Sequence, residues 1–275
     1  MTAMRARELG RKSVVVGDEV ALAGDATGRA GTLARIVRIE ARSSVLRRTA
    51  DDTDTVERVV VANADQLVMV VSVADPPPRP RLVDRYLVAA FDAGIQPVLC
   101  LTKTDLGPAP ELLHTYADLG VPTISTQPGS DLDPLRRVLS NAVSVMVGHS
   151  GVGKSTLVNR LVPEAQRRIG DVSAIGKGRH TSTSAVALPL PGGGWIVDTP
   201  GIRSFGLAHV SPGHLLRAFP DLTAGARNCP SDCPHTSAEA GCALDEWVAA
   251  EGGSAPGRLD SFRRLLASMA SEERP

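Results

Sequence analysis

The sequence lacks the features that would place it in or beyond a membrane. No apolar run approaches the roughly 18–20 residues that a bilayer span needs. The first twelve residues carry charge but no apolar h-region, so they do not form a secretory signal, and a cytoplasmic protein with no membrane partner is expected. Cysteine is scarce. Four in 275 residues are too few for a disulfide scaffold. Net charge is also missing: 30 Lys and Arg balance 30 Asp and Glu, which argues against bulk electrostatic attraction to nucleic acid.

What remains is ordinary globular composition, 43% hydrophobic and 22% charged, with enough chain for one to three domains. The charge is unevenly placed. Residues 1–50 hold ten Lys or Arg against five acids, which suits either contact with a polyanion or a solvated basic face. Residues 13–22, 33–39 and 58–61 are β-branched runs, the first two separated by Gly- and Asp-rich turn material. They predict a small N-terminal β domain over 1–62, either an OB-like barrel or a plain meander.

From Asn63 onward, strands and helices alternate. Strands are expected at 66–73, 96–101, 121–125 and 143–147, with helices at 81–93, 111–119 and 133–142 between them. Such alternation predicts an α/β domain with a mostly parallel sheet over 63–207. Residues 163–183 are polar, with weak periodicity and the length of a functional loop. Two further strands are expected at 185–190 and 194–197. A C-terminal domain over 208–275 carries helical pieces near 212–219, 243–250 and 256–270.

The strand at 143–147 leads into Gly148-His149-Ser150-Gly151-Val152-Gly153-Lys154-Ser155, followed by Thr156 on a helical segment. This fits the phosphate-loop pattern G-x-x-x-x-G-K-S/T at every required position, in the strand–loop–helix context that gives the pattern meaning. The glycines let backbone N–H groups curl around phosphate oxygens, and the helix N-terminus adds partial positive charge. Lys154 is expected to reach the β- and γ-phosphates and to serve catalysis, and the Ser155 hydroxyl to ligate Mg²⁺. Asp198-Thr199-Pro200-Gly201 ends a later strand and fits D-x-x-G. Asp198 would hold Mg²⁺ through water, and the Gly201 N–H would meet the γ-phosphate. In the long loop, Thr181 is the first choice to complete the Mg²⁺ shell. Ile202 follows Gly201 where many GTPases place a water-orienting Gln, so His180 is the nearest candidate to act on water, or else an exposed loop residue or RNA contact.

Thr102-Lys103-Thr104-Asp105 follows the strand at 96–101. A carboxylate at Asp105 can accept two hydrogen bonds from the guanine edge, which adenine cannot offer, while the Lys103 stem lies over the base. The pattern matches N-K-x-D except that Thr102 stands for Asn. A hydroxyl makes only part of an amide's bonds, so guanine affinity should survive but weaken. Ser125 falls where a contact to guanine O6 is expected. These base-reading elements precede the phosphate loop, the reverse of the usual GTPase order, so the domain is circularly permuted.

Cys229-x3-Cys233-x-His235-x6-Cys242 supplies three thiols and an imidazole within fourteen residues. They form a closed set for one structural Zn²⁺, the alternative being reduced, unliganded thiols. Cys100 lies mid-strand and reads as core.

In this order, these motifs resemble the RsgA (YjeQ) family, the small-ribosomal-subunit-dependent GTPases. The resemblance rests on the permuted order, the phosphate loop, Gly178-Arg179-His180-Thr181-Ser182-Thr183, Asp198-Thr199-Pro200-Gly201-Ile202 and the Cys/His cluster. It implies an OB-fold, a permuted GTPase domain and a zinc module. It also implies binding of GTP or GDP and of the small subunit and its rRNA late in assembly, with rRNA-stimulated hydrolysis and His180 catalytic. The family's first barrel strands are missing, so either the true start lies upstream or the barrel is incomplete. A monomer is expected. Two other readings stay open: a nucleotide-gated RNA-binding assembly factor with negligible catalysis, and a GTPase of large-subunit assembly.

Overall fold

The structure is a computed structural model. It describes residues 1–10, 13–49, 57–163, 185–199, 207, 210–238, 241–252 and 255–270.

The organising element is a six-stranded mixed sheet. Its strands are β6 (Gln66–Ser72), β7 (Gln96–Thr102), β8 (Thr123–Ser125), β9 (Val143–Val147), β10 (Val186–Pro189) and β11 (Trp195–Asp198), in the order β10-β11-β9-β6-β7-β8. All neighbours are parallel except β10, which pairs antiparallel with β11. Every residue of β6 is buried, as an unbroken apolar run in a parallel sheet covered on both faces requires.

Period-two alternation divides the sheet's side chains between two cores. Val68, Val70, Val98, Cys100 and Met146 face one way, with Leu135 and Leu139 of α3 (Asp133–Leu139) and Leu157 and Leu161 of α4 (Lys154–Leu161). Leu67, Met69, Leu99, Leu101 and Val145 face the other, with Val83, Tyr86 and Leu87 of α1 (Pro80–Asp92). That second core also takes in Leu112 and Tyr116 of α2 (Pro110–Ala117) and the C-terminal helices α5 (Pro212–Leu216), α6 (Pro220–Gly225), α7 (Leu244–Glu251) and α8 (Ala255–Ala270).

α8 binds the α/β part through its charges as well as its apolar face. Arg264 reaches buried Asp84 on α1 at 3.2 Å and stacks over Tyr116 at 5.2 Å. Arg258 clasps Asp221 in a bidentate pair and donates to the Asp118 carbonyl at the end of α2. Phe219, 1% exposed, sits edge-on between Phe91 of α1 and Phe262 of α8, with ring centroids 5.7 and 5.4 Å away.

The N-terminal strands are β1 (Ala3–Arg5), β2 (Val20–Gly24), β3 (Ala34–Ile39), β4 (Val45–Thr49) and β5 (Glu57–Ala62). They form a three-stranded sheet, β1-β3-β2, and a two-stranded β4-β5 ribbon, and Val61 of β5 makes an isolated bridge to Val16 in the segment before β2. Among the described residues no pairing closes them into a barrel. The strand expected at 13–22 begins only at Val20. Upstream, the Asp18 carboxylate accepts from the Val15 N–H at 2.8 Å, and Gly17 turns with φ +91°. Gly17 admits no side chain, since a Cβ there would lie 1.9 Å from the Ala62 carbonyl oxygen. β1 and β4 were not expected from the sequence. Among the described residues no helix is long and apolar enough to cross a membrane.

Phe219 packs against helices that are far apart in sequence. Phe219→Ala should therefore cost about 3–5 kcal/mol, read as a lower denaturant midpoint.

Candidate functional site

Parallel pairing puts the C-terminal ends of β6, β7, β9 and β11 on one edge of the sheet, where ligands of open α/β sheets bind. Residues 148–153 leave β9 there and turn into α4. Gly148, Gly151 and Gly153 all have positive φ. At Gly148 the reason is steric: a Cβ would stand 2.4 Å from the Val70 carbonyl oxygen of β6. The loop thus passes against the neighbouring strand, and Lys154 Nζ folds back to donate to the Gly148 carbonyl at 2.8 Å. His149 Nδ1 lies 2.7 Å from the Ser150 carbonyl, while Ser155 and Thr156 are exposed on the first turn of α4.

Asp198 ends β11, opposite Met146 of β9. Burial is the main cause of the shift at both charged groups. It pulls the Lys154 ammonium below its ordinary value and pushes the Asp198 carboxyl up, and each charge opposes the other's shift. Beside Asp198, buried Thr199 donates its hydroxyl to the Met146 carbonyl at 3.0 Å, closing the strand end.

The upstream motif is two strands away, at the ends of β7 and β8. Thr102 is buried and donates to the Val152 carbonyl of the glycine loop at 2.6 Å. Its hydroxyl joins the two motifs to one another. Lys103 adopts φ +57° and donates its ammonium to the Asp75 carbonyl in the loop after β6. Thr104 meets the Thr126 carbonyl through its N–H and its hydroxyl. Asp105 is exposed in a short 3₁₀ turn, Thr104–Leu106. Ser125 is exposed and pairs through its backbone with Leu101. Thr102, Lys103, Thr126, Val152, Gly153 and Thr156 all border one cavity of about 190 Å³.

The Cys/His cluster lies between a 3₁₀ turn, Ala226–Asn228, and α7. Ligand atoms of Cys229, Cys233, His235 and Cys242 all fall within 4.8 Å of one another. Cys229 Sγ to Cys242 Sγ is 3.9 Å, and Cys242 Sγ to His235 Nδ1 is 3.6 Å. A tetrahedron with Zn–S of about 2.3 Å and Zn–N of about 2.0–2.1 Å has edges of about 3.8 and 3.6 Å. These two edges match a tetrahedral metal site, the four residues could hold a metal ion, and the Sγ–Sγ separation is much too wide for a disulfide. Burial, then the charge of Arg263, lowers the His235 pKa and favours the neutral imidazole that ligates metal. Arg263 of α8 also donates to the His235 carbonyl and grips Asp245 of α7 with two bonds of 2.6–2.7 Å, so the loop is held from both helices.

A family profile described as RsgA GTPase matches residues 39–208 of the chain. The chain is 40% identical to "Small ribosomal subunit biogenesis GTPase RsgA" from Pseudomonas aeruginosa (strain LESB58), over 94% of its own length and 76% of the relative's. It is 39% identical to the protein of that name from Chlorobaculum tepidum, over 95% of its length and 87% of the relative's. The chain belongs to the RsgA GTPase family. Its fold matches the crystal structure of YjeQ from Thermotoga maritima with a TM-score of 0.69 and 26% identity, covering 99% of this chain and 90% of that one. YloQ, a circularly permuted GTPase, matches with a TM-score of 0.63 at 23% identity, over 98% of this chain and 86% of that one.

As a member of the RsgA GTPases, the protein is a GTP-hydrolysing enzyme. Of the residues singled out from the sequence, Gly178, Arg179, His180, Thr181, Ser182, Thr183, Pro200, Gly201 and Ile202 lie outside the described residues. The sequence reading missed Thr126, whose hydroxyl and N–H both bond the Leu101 carbonyl and whose carbonyl receives Thr104. A lone Thr after a short strand gives no signal of that role.

Thr102→Val keeps the shape but leaves the Val152 carbonyl without its hydroxyl donor. It should cost about 1–3 kcal/mol in chemical denaturation, while Thr102→Ser stays close to the parent.

Proposed function

We propose that the chain is a GTP hydrolase that binds the small ribosomal subunit and assists its late maturation, with rRNA raising the turnover rate. One observation carries this reading. A lysine-bearing glycine loop, its opposing Asp198 and a Thr-Lys-Thr-Asp turn meet on one sheet edge, in an RsgA-family chain whose relatives bear the small-subunit name.

In this reading the loop 148–153 and the first turn of α4 hold the phosphates. Gly148, His149, Ser150, Gly151, Val152 and Gly153 supply backbone N–H groups, and Lys154, Ser155 and Thr156 supply side chains. Lys154 lies in a low-dielectric setting where its charge acts strongly on a phosphate. Ser155, Asp198 and Thr181 hold Mg²⁺, whose role is to neutralise charge on the β- and γ-oxygens. Gly201 meets the γ-phosphate, and His180 acts on the attacking water in place of the Gln that the sequence lacks. Thr102, Lys103, Thr104, Asp105 and Ser125 form the guanine end. Cys229, Cys233, His235 and Cys242 hold one structural Zn²⁺, for which the edge lengths and the thiol-rich donor set speak.

The proposed divisions are an OB-like β domain over 1–62, a permuted GTPase domain over 63–207 and a zinc-binding helical domain over 208–275. The protein would act as a cytoplasmic monomer on the small subunit and its rRNA. Large-subunit assembly is disfavoured by the names of the relatives.

The deciding experiment is GTP turnover by the full chain with and without purified small subunits. Turnover that does not rise on adding small subunits, in a protein that binds GTP, overturns the subunit assignment. Lys154→Ala should weaken GTP binding by about 100-fold or more in equilibrium titration. His180→Ala should keep binding and lose the stimulated turnover. Atomic emission should find one zinc per chain, and Cys242→Ser should lose it and lower stability by about 4 kcal/mol.

A further inference from the structure

We propose that Arg160 is a positioning residue for the base-binding wall of the nucleotide cavity. This inference rests on the nucleotide-binding reading of that cavity. Arg160 belongs to the last turn of α4, the helix that begins at Lys154, and its side chain lines the cavity of about 190 Å³. The guanidinium does not meet a carboxylate: among the described residues none pairs with it. It donates instead to two backbone carbonyls of the turn after β8, Gln127 at 3.2 Å and Ser130.

That turn forms the outer wall of the cavity, with Thr126, Gln127 and Pro128 on its lining. Its own bonds are short-range. Ser130 N–H reaches the Gln127 carbonyl, and the Ser130 hydroxyl accepts from Gln127 N–H and donates to the same carbonyl. These bonds shape the turn but do not fix its distance from the phosphate helix. Arg160 does, because a planar fork with parallel donors can hold two carbonyls of one turn at once. Its backbone is braced in turn, since Arg136 of α3 donates to the Arg160 carbonyl at 3.1 Å. The cavity therefore has two ties across it. Thr102 joins the base strand to the glycine loop at one side, and Arg160 joins the base wall to the same helix at the other.

Thr126 anchors the start of the turn to β7 and to Thr104, but Arg160 is what ties the turn to the phosphate helix. Without that tie Gln127–Ser130 becomes free to move relative to α4, and the cost falls on whatever the wall must contact. The phosphate loop makes its own bonds and should be indifferent. Arg160 thus acts on the base end of a ligand and not on its phosphates.

The test uses the full chain and its Arg160→Ala and Arg160→Lys variants. Fluorescent GDP and GTP are titrated to obtain Kd, and inorganic tripolyphosphate is used as competitor to report the phosphate loop alone. GTP turnover is measured over a range of GTP concentrations. Arg160→Ala should raise Kd for GDP and GTP alike by about tenfold, with KM following and kcat within about twofold. The tripolyphosphate constant should not move. Arg160→Lys keeps the charge and loses the fork, so it should recover less than half of the lost affinity. Unchanged Kd in Arg160→Ala overturns the proposal. So does parallel weakening of tripolyphosphate, which would mean general damage to α4, and so does full recovery by Arg160→Lys, which would mean charge alone. Failure of the parent chain to bind GDP or GTP at all would instead overturn the nucleotide reading itself.

Discussion

β6 is the constraint on which the site depends. It pairs with β7 along its whole length and with β9 over four residues, and it has no exposed side chain. Neighbouring strands lie about 4.8 Å apart, so the strands carrying the glycine loop and the Thr-Lys-Thr-Asp turn are held about 10 Å apart. Its backbone reaches both motifs. The Val70 carbonyl rules out any side chain at Gly148, and the Val71 carbonyl lies 3.4 Å from the Thr102 hydroxyl. A strand buried on both faces and paired on both edges leaves few ways to shift either motif without breaking the sheet.

The permuted order gives that rigid edge a second consequence. The chain leaves it at Asp198 and runs on into the C-terminal helices, which fold back onto α1. α1 itself follows the loop after β6, the loop whose Asp75 carbonyl takes the Lys103 ammonium and whose Pro76 lies beside Gly151. Arg264 and Asp84 join α8 to α1 in a setting where Asp84 is buried and its pKa raised chiefly by that burial. Such a pair adds little net stability, because desolvation offsets its attraction, but breaking it leaves a buried charge. It fixes which face of α8 meets α1. The Cys/His loop, gripped by Arg263 on the same helix, is thereby referred to the same frame as the cavity that Thr102 and Val152 border.

Much of this was legible in the sequence, because the signals were local. The unbroken apolar runs of β6 and β7, the proline at the start of α1 and Gly94 after it set those elements to within a residue or two. The glycine loop and the Cys/His spacing could be read because their chemistry restricts residue type at each position. The N-terminal strands could not. Ser13–Leu22 has the composition of one strand, but an Asp18 side-chain bond and Gly17 packed on Ala62 turn its first half. The Asp18 bond is local, three residues back to Val15, but the Gly17 contact reaches Ala62, 45 positions away and beyond any periodicity. Thr126 and Arg160 were missed for the same reason: their partners are backbone carbonyls, which carry no sequence identity.

Thr102 shows how one substitution moves a function elsewhere. A hydroxyl has a single proton to donate, and here that proton goes to the Val152 carbonyl at 2.6 Å. An amide in its place would have two donors and could serve both the loop and another group. Under the proposed reading, guanine must therefore be read without a donor from position 102. The carboxylate of Asp105 and the backbone around Ser125 and Thr126 carry the discrimination. A carboxylate on an exposed turn discriminates only if the opposite wall holds the base in register with it. In this chain the placement of that wall rests on Thr104, Thr126 and a guanidinium from the phosphate helix, so base recognition and phosphate recognition share one helix.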